Sequence, residues 1–487
     1  MPRSVNGSNN ACSELRSLAR ANRRQILQVG ALGMLGLGLS DWFQRRGAAQ
    51  DPVITGVNDL AGPSTAAVTA NGTFGRAKRC IFLFMWGGPS QLDTFDMKPQ
   101  APSDIRGEFL PISTNVPGIQ ICEHFQHLSR QMDKVCVIRT LAHDDPAHLS
   151  SAHATLTGHW APVVRSDKDP PSEKDSPHLG SVLARLRPGP RTVPSFVTLP
   201  WICHHPAAPG GNAPGQDGGW FGKRYSPLLV TGDPNSAGWQ APTLGLVDGI
   251  SPARLGDRQG LLKELDQFRA GTDQLGILSE LSAVQEQAFG LLSSAQVRTA
   301  FDLAAESEAT RDRYGRNLHG QCVLLARRLV EQGVPLVSVN WHNDGQNFWD
   351  THGNNFARLK NDLIPPSDQA LAALLADLDE RGLLADTLVC WVGEFGRKPQ
   401  ITAANAGREH WPGCYAGLLA GAGIQGGTTY GTSDNFAMRP LENPVSPLDY
   451  AATVLHLLGI DPMTLVNDRL GRPLQLCEGR VVRGVLG

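Results

Sequence analysis

Paired cysteines are missing: nine cysteines are present, yet no two are spaced as C-x-x-C, so a zinc site built from cysteine pairs is excluded. Charge is also scarce. Charged residues make up 18% and the formal net charge is −2, which leaves no basic field for nucleic acid. Beyond the N-terminal segment no stretch has the unbroken apolar run that a membrane helix needs, so no stable span is expected in the rest of the chain. No internal repeat is visible. What is abundant is glycine, 53 residues, and proline, 34, which suit a loop-rich protein with long strand connections. A length of 487 residues allows one large α/β domain with insertions, or two domains.

The first 49 residues read as a targeting segment, set aside from the fold. Arg23-Arg24 is followed by a mild, glycine-containing apolar stretch over 29–39, and Ala48-Ala49 offers small residues for cleavage. Position and low hydrophobicity point to export by the twin-arginine route, hence to the periplasm or cell envelope. That route carries folded proteins, which suits a metal inserted before export. Residues 50–78, small and polar, read as a linker. Cys12 would leave with the signal; Cys80, Cys136 and Cys390 sit in apolar runs and read as buried free thiols.

From residue 79 onward the pattern is that of an α/β domain. Residues 80–86, 135–138, 195–199, 335–341, 387–392 and 413–420 are candidate strands, several of them continuous apolar runs suited to a parallel sheet. Helical spacing appears over 148–156, 318–332 and 367–381, and along 261–304. The Pro/Gly-rich span 160–251 reads as a loop-rich insertion and 257–332 as a helical one. The strand at 387–392 stops at Glu394, with Gly396 permitting a tight turn. In an open α/β sheet, ligands bind beyond the carboxyl ends of strands, so a carboxylate there is well placed for metal or substrate. Two further polar segments can meet it: Asp350-Thr351-His352 after the 335–341 strand, and Glu409-His410 before the 413–420 run. Imidazole and carboxylate at neighbouring strand ends are the make-up of a hydrolytic metal site.

The phrases Trp86-Gly87-Gly88-Pro89-Ser90-Gln91-Leu92-Asp93, Trp349-Asp350-Thr351-His352, Glu394-Phe395-Gly396-Arg397 and Gly407-Arg408-Glu409-His410-Trp411-Pro412 resemble the exported bacterial proteins of the domain of unknown function 1501 family. Their order resembles the wider alkaline phosphatase and sulfatase superfamily, and residues 447–459 look like the closing helix of sulfatases. The resemblance implies a central, mostly parallel sheet flanked by helices. It implies a divalent metal, zinc first, with manganese or calcium behind it, as one or two ions. One ion would take Asp350, His352 and His410, and a second would take Asp93 and Glu394. Arg397 would hold a sulfate or phosphate oxygen, with a plain surface ion pair as the alternative.

Three departures stand out. Glu394 is followed by Phe395, where the better-known enzymes carry Asp followed by His or Asn, so one ligand of a second metal is missing. Asp350-x-His352 is shorter than the corresponding alkaline phosphatase spacing. The resemblance puts a Ser, Thr or Cys nucleophile ten residues before the glycine of a Thr-Gly ending, and counting back from Gly158 gives His148. An imidazole can ligate metal, act as base or accept a phosphoryl group, but it cannot become a formylglycine; ligand or base is the favoured reading. Ser150 and Ser151 are nearby hydroxyls, with plain helix hydrogen bonding as their other reading. Two functions stay open. One is an exported metal-dependent hydrolase of a small-molecule or polysaccharide phosphate or sulfate ester. The other is a non-catalytic, metal-stabilised envelope binding or scaffold protein.

Overall fold

The structure, a computed structural model, describes residues 72–190, 192–208, 210–241, 254, 257, 260, 295–341 and 348–487. The targeting segment, residues 50–71 of the linker and residues 258, 259 and 261–294 of the helical insertion therefore lie outside the described residues. The architecture is α/β: a large, mostly parallel central sheet flanked by helices.

Eight strands form the sheet. In chain order they are β1 (Arg79–Phe84), β2 (Val135–Leu141), β3 (Phe196–Leu199), β4 (Leu228–Leu229), β5 (Leu336–Asn340), β6 (Thr387–Val392), β7 (Tyr415–Ala420) and β8 (Thr428–Tyr430). Across the sheet they run β8-β2-β7-β6-β1-β5-β3-β4. β7 is antiparallel to both its neighbours, β2 and β6, and every other pairing is parallel. Consequently β1, β2, β3, β5 and β6 all finish at one edge of the sheet. The register aligns those ends: Phe84 lies opposite both Asn340 and Val392.

The composition of the strands explains their place. β1 (Arg-Cys-Ile-Phe-Leu-Phe) and β6 (Thr-Leu-Val-Cys-Trp-Val) are apolar at nearly every position and buried along their length, as a strand covered on both faces must be. Helix α1 (His148–Thr157) is wholly buried and ends on Gly158, whose φ of 77° is the left-handed stop that glycine adopts freely. It packs against α2 (Pro447–Leu457), which begins with a capping box formed by Ser446 and Asp449. The span 160–251, read from sequence as an insertion, supplies β3 and β4 at one margin of the sheet. Cys80, Cys136 and Cys390 are buried free thiols.

Candidate metal centre

Four strand ends and a two-stranded ladder converge on one cluster of side chains. β1 opens into Gly87-Gly88, where a side chain on Gly87 (φ 111°) would meet the Asp350 backbone nitrogen at 2.3 Å. Only glycine lets these two loops touch. The Gly87 N–H, freed for use, donates to Glu394 Oε1 at 2.9 Å. β2 leads through His143, hydrogen-bonded by Nε2 to the Glu394 carbonyl at 2.8 Å, to His148 in the first turn of α1. β5 is followed by Asp350 and His352, and β6 by Glu394. Finally a two-stranded ladder, Gly396–Arg397 with His410–Trp411, sets His410 opposite Arg397. The 350–355 loop is fastened to 402–408 by backbone bonds, and Gly407 lies so close to the His352 carbonyl that no side chain would fit.

Asp350 is the hub. Its carboxylate lies 3.4 Å from His148 Nε2, 2.9 Å from His352 Nε2, 3.2 Å from His410 Nε2 and 2.6 Å from Arg397 Nη2. His148, Asp350 and His410 each offer one ligand atom, all within 4.8 Å of one another. His352 Nε2 is 2.9 Å from His410 Nε2, and its Nδ1 is braced by Glu409 at 2.6 Å. Glu394 stands behind His148: Oε1 accepts from Nδ1 at 2.6 Å, while Oε2 is buried without a hydrogen-bond partner. A carboxylate holding the far nitrogen of an imidazole fixes the tautomer that presents a lone pair on Nε2.

The electrostatics follow from this arrangement. Burial would push the His148 imidazole down, but hydrogen bonds and charge from Asp350 and Glu394 outweigh it and hold it up at about 9. For His410, burial dominates; with the Arg397 and His148 charges it outweighs the Asp350 bond, lowering it to about 4. The hydrogen bond to Asp350 raises His352. Burial disfavours the Asp350 charge, yet the Arg397 guanidinium and three imidazoles hold its carboxyl far below the usual range. Without an ion, the site therefore keeps a proton on His148, where positive charge is wanted.

The geometry reassigns several residues. Asp93 does not join Glu394 in a second site. Its buried carboxylate takes Arg408 through Nε at 2.8 Å and Nη2 at 3.1 Å, with Ser90 at 2.6 Å and Asn355 at 2.9 Å besides. An anion so satisfied by a buried guanidinium has no ligand atom to spare. Glu394 is a brace for His148 rather than a partner of Asp93. Arg397 is neither a surface ion pair nor an exposed anion clamp. It is fully buried, and its guanidinium serves the carbonyls of Gly87, Gly88 and Arg408 as well as Asp350. Ser150 and Ser151 are buried and engaged elsewhere: Ser151 donates to the Asp145 carbonyl at 2.7 Å, and Ser150 accepts from Ser166 N at 3.3 Å. His148, Asp350, His352 and His410 are brought together. Two imidazoles were passed over in the sequence, His143 behind Glu394 and His205, whose ring centroid is 5.6 Å from that of His148. The signal for His205 was a histidine pair just after a strand end, lost within a Pro/Gly-rich stretch.

The model of the DUF1501 family, described as a protein of unknown function, matches residues 77–486. The chain belongs to this family. No curated protein matches it. Among solved structures it is similar to Ps i-CgsB in complex with k-i-k-neocarrahexaose, at 11% identity, a TM-score of 0.38, and coverage of 79% of this chain and 72% of the other. It is similar to the PsFucS1 sulfatase from Pseudoalteromonas sp., at 14% identity, a TM-score of 0.33, and coverage of 80% and 68%. A protein in the alkaline phosphatase superfamily from Vibrio parahaemolyticus is also similar, at 11% identity, a TM-score of 0.35, and coverage of 80% and 67%.

The donor set fits a divalent cation. Two imidazole nitrogens, from His148 and His410, and the Asp350 carboxylate suit zinc, with manganese behind it, better than the all-oxygen shell that calcium prefers. The unpaired Oε2 of Glu394 adds buried negative charge beside the donors, which a cation would offset.

Proposed function

We propose that this chain is a divalent-metal-dependent hydrolase of phosphate or sulfate esters. The observation that carries the reading is the convergence of His148, His410 and His352 on Asp350, with Glu394 holding His148 from behind. His148, Asp350 and His410 would hold the ion. When bound, it would polarise an ester oxygen and stabilise charge developing in the transition state. Once His148 gives up its proton to bind, Asp350 and Glu394 against Arg397 leave one negative charge, so a divalent ion would bring the site to net positive and make it attractive to an anionic ester.

Ser150 and Ser151 are engaged away from the cluster, so the attacking group comes from water. His352 lies at the solvent side, its side chain 42% exposed, with Glu409 on its far nitrogen. With Asp350 engaged by the ion, its Nε2 would take the proton of that water, and Glu409 would stabilise the imidazolium that results. The missing hydroxyl nucleophile is also the observation that favours the second reading, a metal-stabilised envelope binding or scaffold protein.

The test is elemental analysis of the purified protein, followed by a panel of aryl phosphates and sulfates. Bound zinc or manganese with turnover of either ester class supports the hydrolase. Full metal loading with no turnover on any ester leaves the scaffold, and metal-free protein of unaltered stability removes both. We further propose export by the twin-arginine route. Among the described residues no helix is long and apolar enough to cross a membrane. Arg23→Lys with Arg24→Lys should strand the full-length precursor in the cytoplasm; unchanged periplasmic yield would remove the localisation.

A further inference from the structure

The segment that follows β3 folds back on itself beside the cluster. His204 and Asn212 form an antiparallel bridge, His205 N donates to the Gly211 carbonyl at 2.6 Å, and Ala213 N to the Cys203 carbonyl at 2.8 Å. Buried side-chain amides clamp the base of this hairpin. Gln216 accepts from Cys203 N at 2.8 Å and donates to the carbonyls of Cys203 and Ala213, each at 2.9 Å. Asn340, the last residue of β5, donates to the Trp201 carbonyl at 2.9 Å. A loop tied in this way to two strand ends holds its side chains in fixed positions.

The two histidines of the hairpin are used differently. His204 accepts the indole N–H of Trp201 at 2.9 Å, a structural bond near the surface. His205 is half-buried, its ring 5.6 Å from that of His148 and tilted by 31° to it. Its Nδ1 accepts the Ala207 N–H at 3.2 Å, so the neutral ring carries its proton on Nε2. That N–H makes no hydrogen bond among the described residues. Unlike His204, whose ring serves Trp201 near the surface, His205 keeps that donor beside the cluster.

We propose that His205 is a substrate-contacting residue, donating Nε2–H to a non-bridging oxygen of a phosphate or sulfate group held at the His148–Asp350–His410 cluster. The assignment rests on the ester-hydrolase reading and adds to it a recognition element for the tetrahedral anion. It needs no charge on the imidazole, only the tautomer that Ala207 enforces. His205 lies outside the set of donors around Asp350, so its loss should leave the ion in place.

The test is calorimetric titration of the zinc-loaded full chain with inorganic phosphate and with sulfate, in the wild type, His205→Ala, His205→Gln and His204→Ala. His205→Ala should weaken anion binding about tenfold, the size of one lost hydrogen bond to a charged group, at unchanged zinc content and unchanged melting of the metal-free protein. His205→Gln, which retains an N–H donor, should recover part of the loss, and His204→Ala should have no effect. Equal anion affinity in wild type and His205→Ala would overturn the proposal while leaving the hydrolase reading intact. Loss of zinc in His205→Ala would overturn it by making the residue a ligand. A zinc-loaded wild type that binds neither anion would refute the hydrolase reading, and the role of His205 with it.

Discussion

Glu394→Gln separates the charge behind His148 from the shape that carries it. In the wild type a single oxygen, Oε1, accepts both the Gly87 N–H at 2.9 Å and the His148 Nδ1–H at 2.6 Å. Glutamine can offer its carbonyl oxygen to the same two donors, so Nδ1 keeps its proton and Nε2 keeps its lone pair toward the ion. What disappears is the negative charge, and an NH2 group without an acceptor takes the place of Oε2. A charge-assisted hydrogen bond is roughly twice as strong as a neutral one, and loss of such a partner behind a metal-bound imidazole typically weakens the metal 10–100-fold. That range corresponds to about 1.4–2.8 kcal/mol. Competition with a chromophoric chelator near neutral pH should therefore show zinc affinity reduced by one to two orders of magnitude. Melting of the zinc-loaded protein should fall further than that of the metal-free protein, because the ion stabilises only the folded chain. Glu394→Ala should be worse, since it also releases the tautomer and strands the Gly87 N–H. Zinc affinity in the glutamine variant within about twofold of wild type would refute the reasoning and leave Glu394 as no more than a cap for the strand-end turn.

Further expectations follow from other parts of the structure. His352→Ala combined with His410→Ala should lower metal content and melting temperature together; retained metal in elemental analysis would place the ion elsewhere. Arg408→Met should cost about 3–5 kcal/mol in denaturant unfolding, because it leaves the Asp93 carboxylate buried without its cation, and a change under 1 kcal/mol would contradict that pairing. Burial lowers His153 to about 4 and His178 to about 3, each with a ring nitrogen accepting a backbone N–H. The folded state thus binds fewer protons than the unfolded one, so stability is full above the ordinary value of 6.5 and falls as pH drops toward those lowered values. Each should cost about 2 kcal/mol between pH 7 and pH 5, with imidazole resonances that do not titrate in that window; titration near 6.5 would refute it.

Strand ends were the legible part of this protein. The apolar run of β6 stopping at Glu394, and the polar phrases holding Asp350, His352 and His410, located the site because strand termini and their neighbours are local in sequence. Which partner each group takes was not legible. Asp93 and Arg408 are 315 positions apart, and nothing in either neighbourhood marks them as one buried ion pair. Arg397 looked available to substrate because its local sequence gives no sign of the carbonyls of Gly87 and Gly88 that surround it. His148 was found by counting from Thr157-Gly158, yet its tie to Glu394 spans 246 positions and needed the sheet order to appear. β4, two residues long, has too short a pattern to be read at all.

Arg397 joins backbone carbonyls from the β1 turn and from the loop before β7 to the carboxylate of Asp350, so the walls of the site are tied to one another without any contribution from an ion. A cavity built that way keeps its dimensions when emptied. Exchange of one cation for another would then be a matter of shedding and regaining hydration rather than of refolding, and occupancy would follow whichever suitable metal the surroundings supply.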